Sequence, residues 1–474
     1  MTETSLHRNW SSKAGFLMAS IGVAVGLGNL WRFPFVAGEN GGAVFVVIYL
    51  GVVALIGIPL IAAELVIGRR GGLSAVGTMG KLVREKGASP IWKLIGVLSL
   101  LVPFFGLTYY SVVAGWTIDY TIQALAGGFD GFDADMSKQS HKALEASPWR
   151  MLLSFTAFIA VSVYVVSRGL KDGLEPATKF MLPALFVLLL ILVAYALSAG
   201  DAARALEFLF APDFSKVTPK VVFMALGQAF FSLAIGVGAM ITYAAYVPKE
   251  TDLARSAGLI AGADTVVALL AGLAIFPIVF AAGLAQDSGP DLLFVAMPVA
   301  FGNMPGGMFF APLFFLLLFF AAFTSSIGML EPVVAWAEER RGWNRPWATI
   351  IVGGLAWLVG LSAILSFNVW QDVRPLGLLP VFAEFNIFRT IDFFVANVML
   401  PVNGLLIALF TGWVLSRQEV RSELALAGDF IFRLFHVAVR YLAPPAILLV
   451  LLAGLLPENF LQLAQEFLNR LFSG

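Results

Sequence analysis

Cysteine is absent from the 474 residues. That excludes disulfides, thiolate metal sites and cysteine nucleophiles. Histidine is scarce, and His7, His141 and His436 lie too far apart for metal-ligand spacing. Charge is scarce as well. Asp, Glu, Lys and Arg make up 13% of the chain, about half the share typical of soluble domains. Too little polar surface remains to coat a water-soluble particle. The 30 basic residues balance the 30 acidic ones, so no basic field gathers nucleic acid. There is no Gly-x-Ser-x-Gly elbow and no His-Glu-x-x-His, and no second Asp clearly faces the one buried in an apolar run. No enzyme is expected.

What the chain has is apolar length. Hydrophobic residues make up 59%. A membrane helix needs about 20 apolar residues. Runs of that size lie near 13–38, 41–68, 90–125, 149–167, 174–199, 217–246, 254–284, 308–337, 346–369, 391–416 and 430–456. Barrel strands would be about 10 residues with alternating polarity, and these runs are continuous. The prediction is an all-α polytopic membrane protein with about eleven transmembrane helices in a lipid bilayer. The first run is interrupted by Arg32-Phe33-Pro34 and lacks a small-residue cleavage site, so it reads as a span rather than a signal peptide.

Basic residues alternate between connections. The second carries Arg69, Arg70, Lys81, Arg84, Lys86 and Lys93. Later even-numbered connections hold Arg168 and Lys171, then Lys249 and Arg255, then Arg340, Arg341 and Arg345, then Arg417 and Arg421. The connection around 127–148 is acidic, with Asp130, Asp133 and Asp135, and that at 285–307 has neither Lys nor Arg. The positive-inside bias then predicts a cytoplasmic N-terminus. An odd helix count puts the C-terminus outside.

Two spans carry glycine pairs at mid-length. The first contains Ala24-Val25-Gly26-Leu27-Gly28, the sixth Ala234-Ile235-Gly236-Val237-Gly238. Glycine inside a helix costs about 1 kcal/mol relative to alanine. Such glycines can serve close helix packing. A matched pair five helices apart points instead to discontinuous helices, whose unwound backbone is tolerated at membrane depth only where it lines a cavity.

The string Gly26-Leu27-Gly28-Asn29-Leu30-Trp31-Arg32-Phe33-Pro34, followed by Glu39-Asn40-Gly41-Gly42, resembles the first-helix signature of the neurotransmitter:sodium symporter family. Gln228-x-Phe230-Phe231-Ser232-Leu233 is similar to its sixth helix, and Phe320-Ala321-Ala322-Phe323-Thr324-Ser325-Ser326 to its eighth. The likeness runs from about Trp10 to the eleventh helix and is strongest to the bacterial eleven-helix amino-acid transporters. It implies a LeuT-like fold: a cytoplasmic segment 1–12, a five-helix repeat at 13–199, an inverted repeat at 200–416, and the eleventh helix with an extracytoplasmic tail at 417–474. The implied function is sodium-coupled import of hydrophobic or aromatic L-amino acids by alternating access, in a plasma membrane (the inner membrane of a bacterium). A proton-coupled transporter of the same fold and a non-transporting amino-acid sensor are the alternatives. Oligomeric state is not readable.

The resemblance also implies two Na⁺ sites. One uses the Ala24 carbonyl, Asn29, Ser232, Asp264 and the substrate carboxylate. The other uses the carbonyls of Gly22, Val25 and Ala321 with the hydroxyls of Thr324 and Ser325. Asp264 stands out without any resemblance, because an acid within an apolar run costs at least about 2.5 kcal/mol to insert. Many members of the family this chain resembles carry Asn here with a chloride close by. Asp264 supplies the negative charge itself and Ala268 one turn on offers no hydroxyl, so the resemblance implies that chloride is not needed. By the same resemblance the substrate meets Ala24, Gly26, Gly28, Tyr110, Phe231 and Ser232. Its side chain meets Gly106, Phe231, Ala234, Val237 and Met329, an apolar set in which small Gly106 and Val237 suggest a roomy pocket. Arg32, Phe231 and Asp392 fit an outer gate. Trp10 and Glu339 fit an inner one, with Arg8 as its basic partner because His7 occupies the family's arginine position. Gly173 and Pro183 mark a segment of the fifth helix that unwinds in relatives. Glu64 is placed to bind free N–H groups of a broken helix. The tail beyond Leu456 reads as a short amphipathic helix.

Overall fold

A computed structural model describes residues 10–284, 292–424 and 428–455. Arg8 and the amphipathic tail lie outside the described residues. Among those described, nine helices are long and apolar enough to span a membrane. They are Ala43–Gly71, Pro90–Leu125, Pro148–Ser167, Leu170–Ala199, Leu253–Ala281, Gly307–Arg341, Arg345–Leu365, Ile387–Val414 and Asp429–Leu455. The remaining two apolar runs form interrupted helices. Lys13–Ala24 and Gly28–Glu39 meet at a 46° bend. Pro219–Ser232 and Ala239–Ala244 are separated by six residues. The eleven runs read from the sequence are thus all helical, and the two with matched glycines are the two that break.

Local chemistry sets the boundaries. Ser12, Ser147, Thr218 and Asn344 each place a side-chain oxygen on a free N–H at a span's start. Proline follows at the first or second position in three of these, where its missing N–H loses nothing. The first break is capped from within, since Asn29 Oδ1 accepts from the Gly26 N–H at 2.9 Å. The second break contains three left-handed backbone angles: φ 52° at Ala234, 85° at Gly236 and 83° at Gly238.

The basic connections gather at one end of the bundle. Arg69 reaches Glu423 at 2.7 Å and the Thr251 carbonyl at 2.5 Å. Arg70 and Lys86 both meet Glu419. Arg345 donates to the Val166 carbonyl at 2.8 Å and pairs with Glu331 and Glu338. The connections at the opposite end fold into the short helices Ala134–Glu145 and Leu292–Asn303, the second of which is apolar. The fifth span starts with one wide turn, Leu170–Leu174, holding Gly173, and is continuous helix from Glu175 through Pro183.

Candidate functional site

The two breaks lie side by side at the centre of the bundle. Beside them Asp264 is fully buried within the seventh span. Its carboxylate accepts from Asn29 Nδ2 at 2.7 Å, from Ser232 Oγ at 2.8 Å and from Tyr49 OH at 3.2 Å. Asn29 Nδ2 also lies 2.9 Å from Ser232 Oγ and 3.0 Å from the Asp264 carbonyl. Among the described residues no Lys or Arg is paired with Asp264. The positive edge of a side-chain amide therefore sits among oxygens that would otherwise repel one another. A hard cation satisfies the same oxygens if the Asn29 amide turns its Oδ1 toward them, a rotation that also releases the Gly26 N–H it now caps and leaves that N–H to a substrate carboxylate. Ala24 lines the adjoining cavity.

A second oxygen cluster joins the first break to the eighth span. Thr324 Oγ1 stands 3.1 Å from the Ala321 carbonyl and 3.5 Å from that of Val25. Ser325 Oγ stands 3.5 Å from the Gly22 carbonyl, 3.2 Å from Val23 and 3.4 Å from Val25. One hydroxyl hydrogen cannot satisfy three carbonyls. All five oxygens named from the sequence for this site are thus assembled, and the surplus of acceptors suits a cation. No cluster of three His, Asp or Glu occurs among the described residues, so the available donors are mainly backbone carbonyls, hydroxyls and one carboxylate. These suit a hard ion rather than a transition metal.

Between the clusters is an apolar cavity of about 70 Å³. Its walls include Ala24, Gly26, Gly28, Gly106, Tyr110, Phe231, Ala234, Val237 and Met329, every predicted substrate contact except Ser232. Tyr110 OH lies 3.4 Å from the Leu27 N–H. A Cβ on Gly26 would press on Ser325 Oγ and stand 3.1 Å from Tyr110 OH, so a side chain here would displace the hydroxyls that line the site. The predicted roominess is not open here. Met329 Sδ would lie 3.2 Å from a Cβ on Gly106 and occupies the space that glycine leaves. Val102, Tyr109, Val395 and Leu400 also line it and were not singled out from the sequence.

Phe231, Tyr109, Tyr110 and Leu27 are shared with a second, larger cavity of about 640 Å³ that also holds Trp31, Arg32, Phe388, Arg389 and Asp392. The shared residues are the roof of the inner cavity and the floor of the outer. Arg32 lies with its guanidinium 4.7 Å from the Phe231 ring centre and donates to the Gly227 carbonyl at 3.3 Å. Arg32 and Asp392 face the same vestibule, yet no ion pair within 4.0 Å joins them.

The other end is sealed. Trp10 is 4% exposed, donates to the Tyr243 carbonyl at 3.0 Å and packs edge-on against Tyr243 and Phe16. Ser11 binds Glu175 through both its N–H and hydroxyl, and Lys179 closes on the same carboxylate at 2.8 Å. Glu339, assigned with Trp10 to the inner gate, accepts from the Ser74 N–H at 2.6 Å, and Ser74 in turn caps the helix Ala75–Lys86 with its own side chain. Besides Glu175, buried acids near this end include Glu331 and Glu338, both on Arg345. Glu331 was legible as an acid within an apolar run and was passed over. Glu64 behaves as expected, accepting from the Gly236 N–H at 2.7 Å.

The sodium:neurotransmitter symporter family model matches residues 7–130 and 132–459. The chain belongs to this family. It is 37% identical over 453 residues to the uncharacterised sodium-dependent transporter YhdH of Bacillus subtilis, covering 94% of this chain and 96% of that one. A sodium-dependent transporter of Haemophilus influenzae is 32% identical over 462 residues, covering 96% and 99%. Among solved structures, MhsT in complex with L-phenylalanine superposes with a TM-score of 0.85 at 39% identity, covering 94% of this chain and 99% of that one. This symporter is therefore an integral membrane transporter rather than an enzyme. It couples Na⁺ to a small-molecule substrate.

Proposed function

We propose that this symporter imports hydrophobic or aromatic L-amino acids with two Na⁺, without chloride, from the vestibule side to the end where the basic connections meet. The observation that carries the reading is the pair of oxygen clusters flanking one apolar cavity, each built on a broken helix. A zwitterion fits that frame. Its carboxylate meets the first-helix N–H groups and Tyr110 OH next to the Asn29–Asp264 cluster, and its side chain meets Val237, Ala234 and Met329. MhsT, whose solved complex holds L-phenylalanine, supports the substrate class. No Lys, Arg, Asp or Glu lines the cavity, which disfavours charged side chains.

The conformation suits loading from outside. The Arg32–Asp392 pair is apart, whereas Trp10 and the Ser11–Glu175 link close the far end. Substrate and Na⁺ draw the two breaks together under Phe231. Opening of the Trp10 end then releases them. That end is cytoplasmic by its arginines and lysines. Two Na⁺ entering down a 100 mV inside-negative potential supply about 4.6 kcal/mol at roughly 2.3 per charge, enough for accumulation on the order of 10³-fold. Asp264 takes the part a bound anion would otherwise play, and Ala268 is buried one turn on.

Equilibrium binding of labelled leucine, phenylalanine and tryptophan to the purified protein tests this. Binding is expected in NaCl and in sodium gluconate alike, and is lost in KCl. Binding indifferent to Na⁺ would leave both clusters structural and turn attention to proton coupling at Asp264. Dependence on chloride would remove the anion-free part.

A further inference from the structure

The break in the sixth helix has too few hydrogen bonds of its own, and buried backbone must find partners elsewhere. Around Gly236 those partners come from three other spans. Its N–H is taken by Glu64 of the second. Its carbonyl accepts from Asn403 Nδ2 of the tenth at 2.7 Å. The same Nδ2 donates to Ser99 Oγ of the third at 3.1 Å. Glu64, Ser99 and Asn403 are all fully buried.

The glycines show where this backbone is seated. A Cβ on Gly236 would stand 3.1 Å from the Gly404 nitrogen, and one on Gly238 would stand 2.8 Å from Ser99 Cα. Neither clash can be relieved by a side-chain rotation, because Gly236 meets the Leu400 carbonyl and Gly404 nitrogen, and Gly238 meets Ser99 Cβ and Cα, atoms whose positions the backbone fixes. Gly236 therefore lies against the tenth span and Gly238 against the third. Val237 is held between two seated glycines, and its side chain faces the cavity. Leu400, one turn before Asn403, lines the same cavity.

We propose that Asn403 is a positioning residue for substrate selection. By holding the Gly236 carbonyl and Ser99 together, it fixes how far Val237 projects into the cavity, and so which side-chain sizes fit. This rests on the amino-acid reading above. Asn403 itself does not line the cavity and acts only through Val237. The amide is suited to the task because one nitrogen carries two donors, which can serve acceptors on two separate helices. Leucine at 403 would keep the volume and lose both bonds, leaving a buried carbonyl unpaired.

Asn403→Leu and, as a milder variant, Ser99→Ala are compared with the unaltered protein in two measurements. The first is competition binding of leucine, phenylalanine and tryptophan in saturating Na⁺. The ratio of tryptophan to leucine affinity is expected to change about tenfold in Asn403→Leu, the scale of one lost buried hydrogen bond. The change in Ser99→Ala should have the same sign and be smaller. The Na⁺ dependence should stay as in the unaltered protein. A uniform loss across all three amino acids overturns the proposal. The second measurement is hydrogen–deuterium exchange over residues 233–239, expected to speed up in both variants; unchanged exchange also overturns it. Should Asn403→Leu fail to fold, Ser99→Ala carries both tests. If the unaltered protein binds none of the three amino acids, the substrate reading falls, and the exchange measurement alone decides on the clamp.

Discussion

Asp264 and Gly26 show how much one residue can carry. Asp264 is held by Asn29, Ser232 and Tyr49 with no basic partner among the described residues, so its negative charge is available to a cation. Asp264→Asn should raise the Na⁺ concentration for half-maximal substrate binding by about tenfold or more, as loss of a buried charge partner does. A Na⁺ titration of phenylalanine binding reads this, and an unchanged midpoint would remove Asp264 from the site. Gly26→Ala should abolish binding while leaving thermal unfolding nearly unchanged, since its methyl would meet Ser325 and Tyr110 rather than core backbone. Both residues were legible in the sequence, because an acid or a glycine inside an apolar run is an anomaly. Val102, Val395 and Leu400 were not, because an apolar residue in an apolar helix leaves no mark until packing shows which way it faces.

Helices are where the sequence reading was strongest. All eleven apolar runs are helical, and the paired glycines marked the two that break. What eluded it was contact between elements. Glycine at 106 suggested space, but Met329 on the eighth span fills it from across the cavity. Methionine has three flexible torsions and repacks readily. A bulky substrate is therefore expected to displace the thioether. Met329→Ala should favour tryptophan over leucine by about tenfold in competition binding, within the range for a core side chain removed against a cavity-filling ligand. Equal effects on both ligands would show that Met329 stays clear of the substrate. The three-helix hold on Gly236 is likewise a matter of tertiary placement. Asn403 was visible as a polar residue in an apolar run, but nothing in the order of residues says that it meets the sixth helix.

Across the whole molecule, charge divides the two ends. The end with Trp10 is tied by ion pairs that cross between connections, and Glu419 is their meeting point. Partial burial pushes its pKa up, but Lys86, Ser416 and Arg70 outweigh that and hold it at about 2. A carboxylate depressed in the folded state adds stability above its unfolded pKa, and that stability is lost as pH falls through the folded value. Glu419→Gln should therefore lower the melting temperature by a few degrees at pH 7, a gap that closes toward pH 2. A gap unchanged by acid would mean the link is not ionic. The alternation of basic connections foretold that these residues share an end. It did not foretell the pairing of Arg345 with Glu331 and Glu338, because pairing follows from helix packing that charge counts do not record. The central claim is coupling of Na⁺ to amino-acid movement through this closed bundle. It is tested most directly by uptake of labelled L-phenylalanine into proteoliposomes preloaded with a higher concentration of the same amino acid. With an inward Na⁺ gradient, net accumulation against the phenylalanine gradient is expected, and it should collapse when Na⁺ is equal on both sides. Net movement only down the phenylalanine gradient, whatever the Na⁺, would contradict the account.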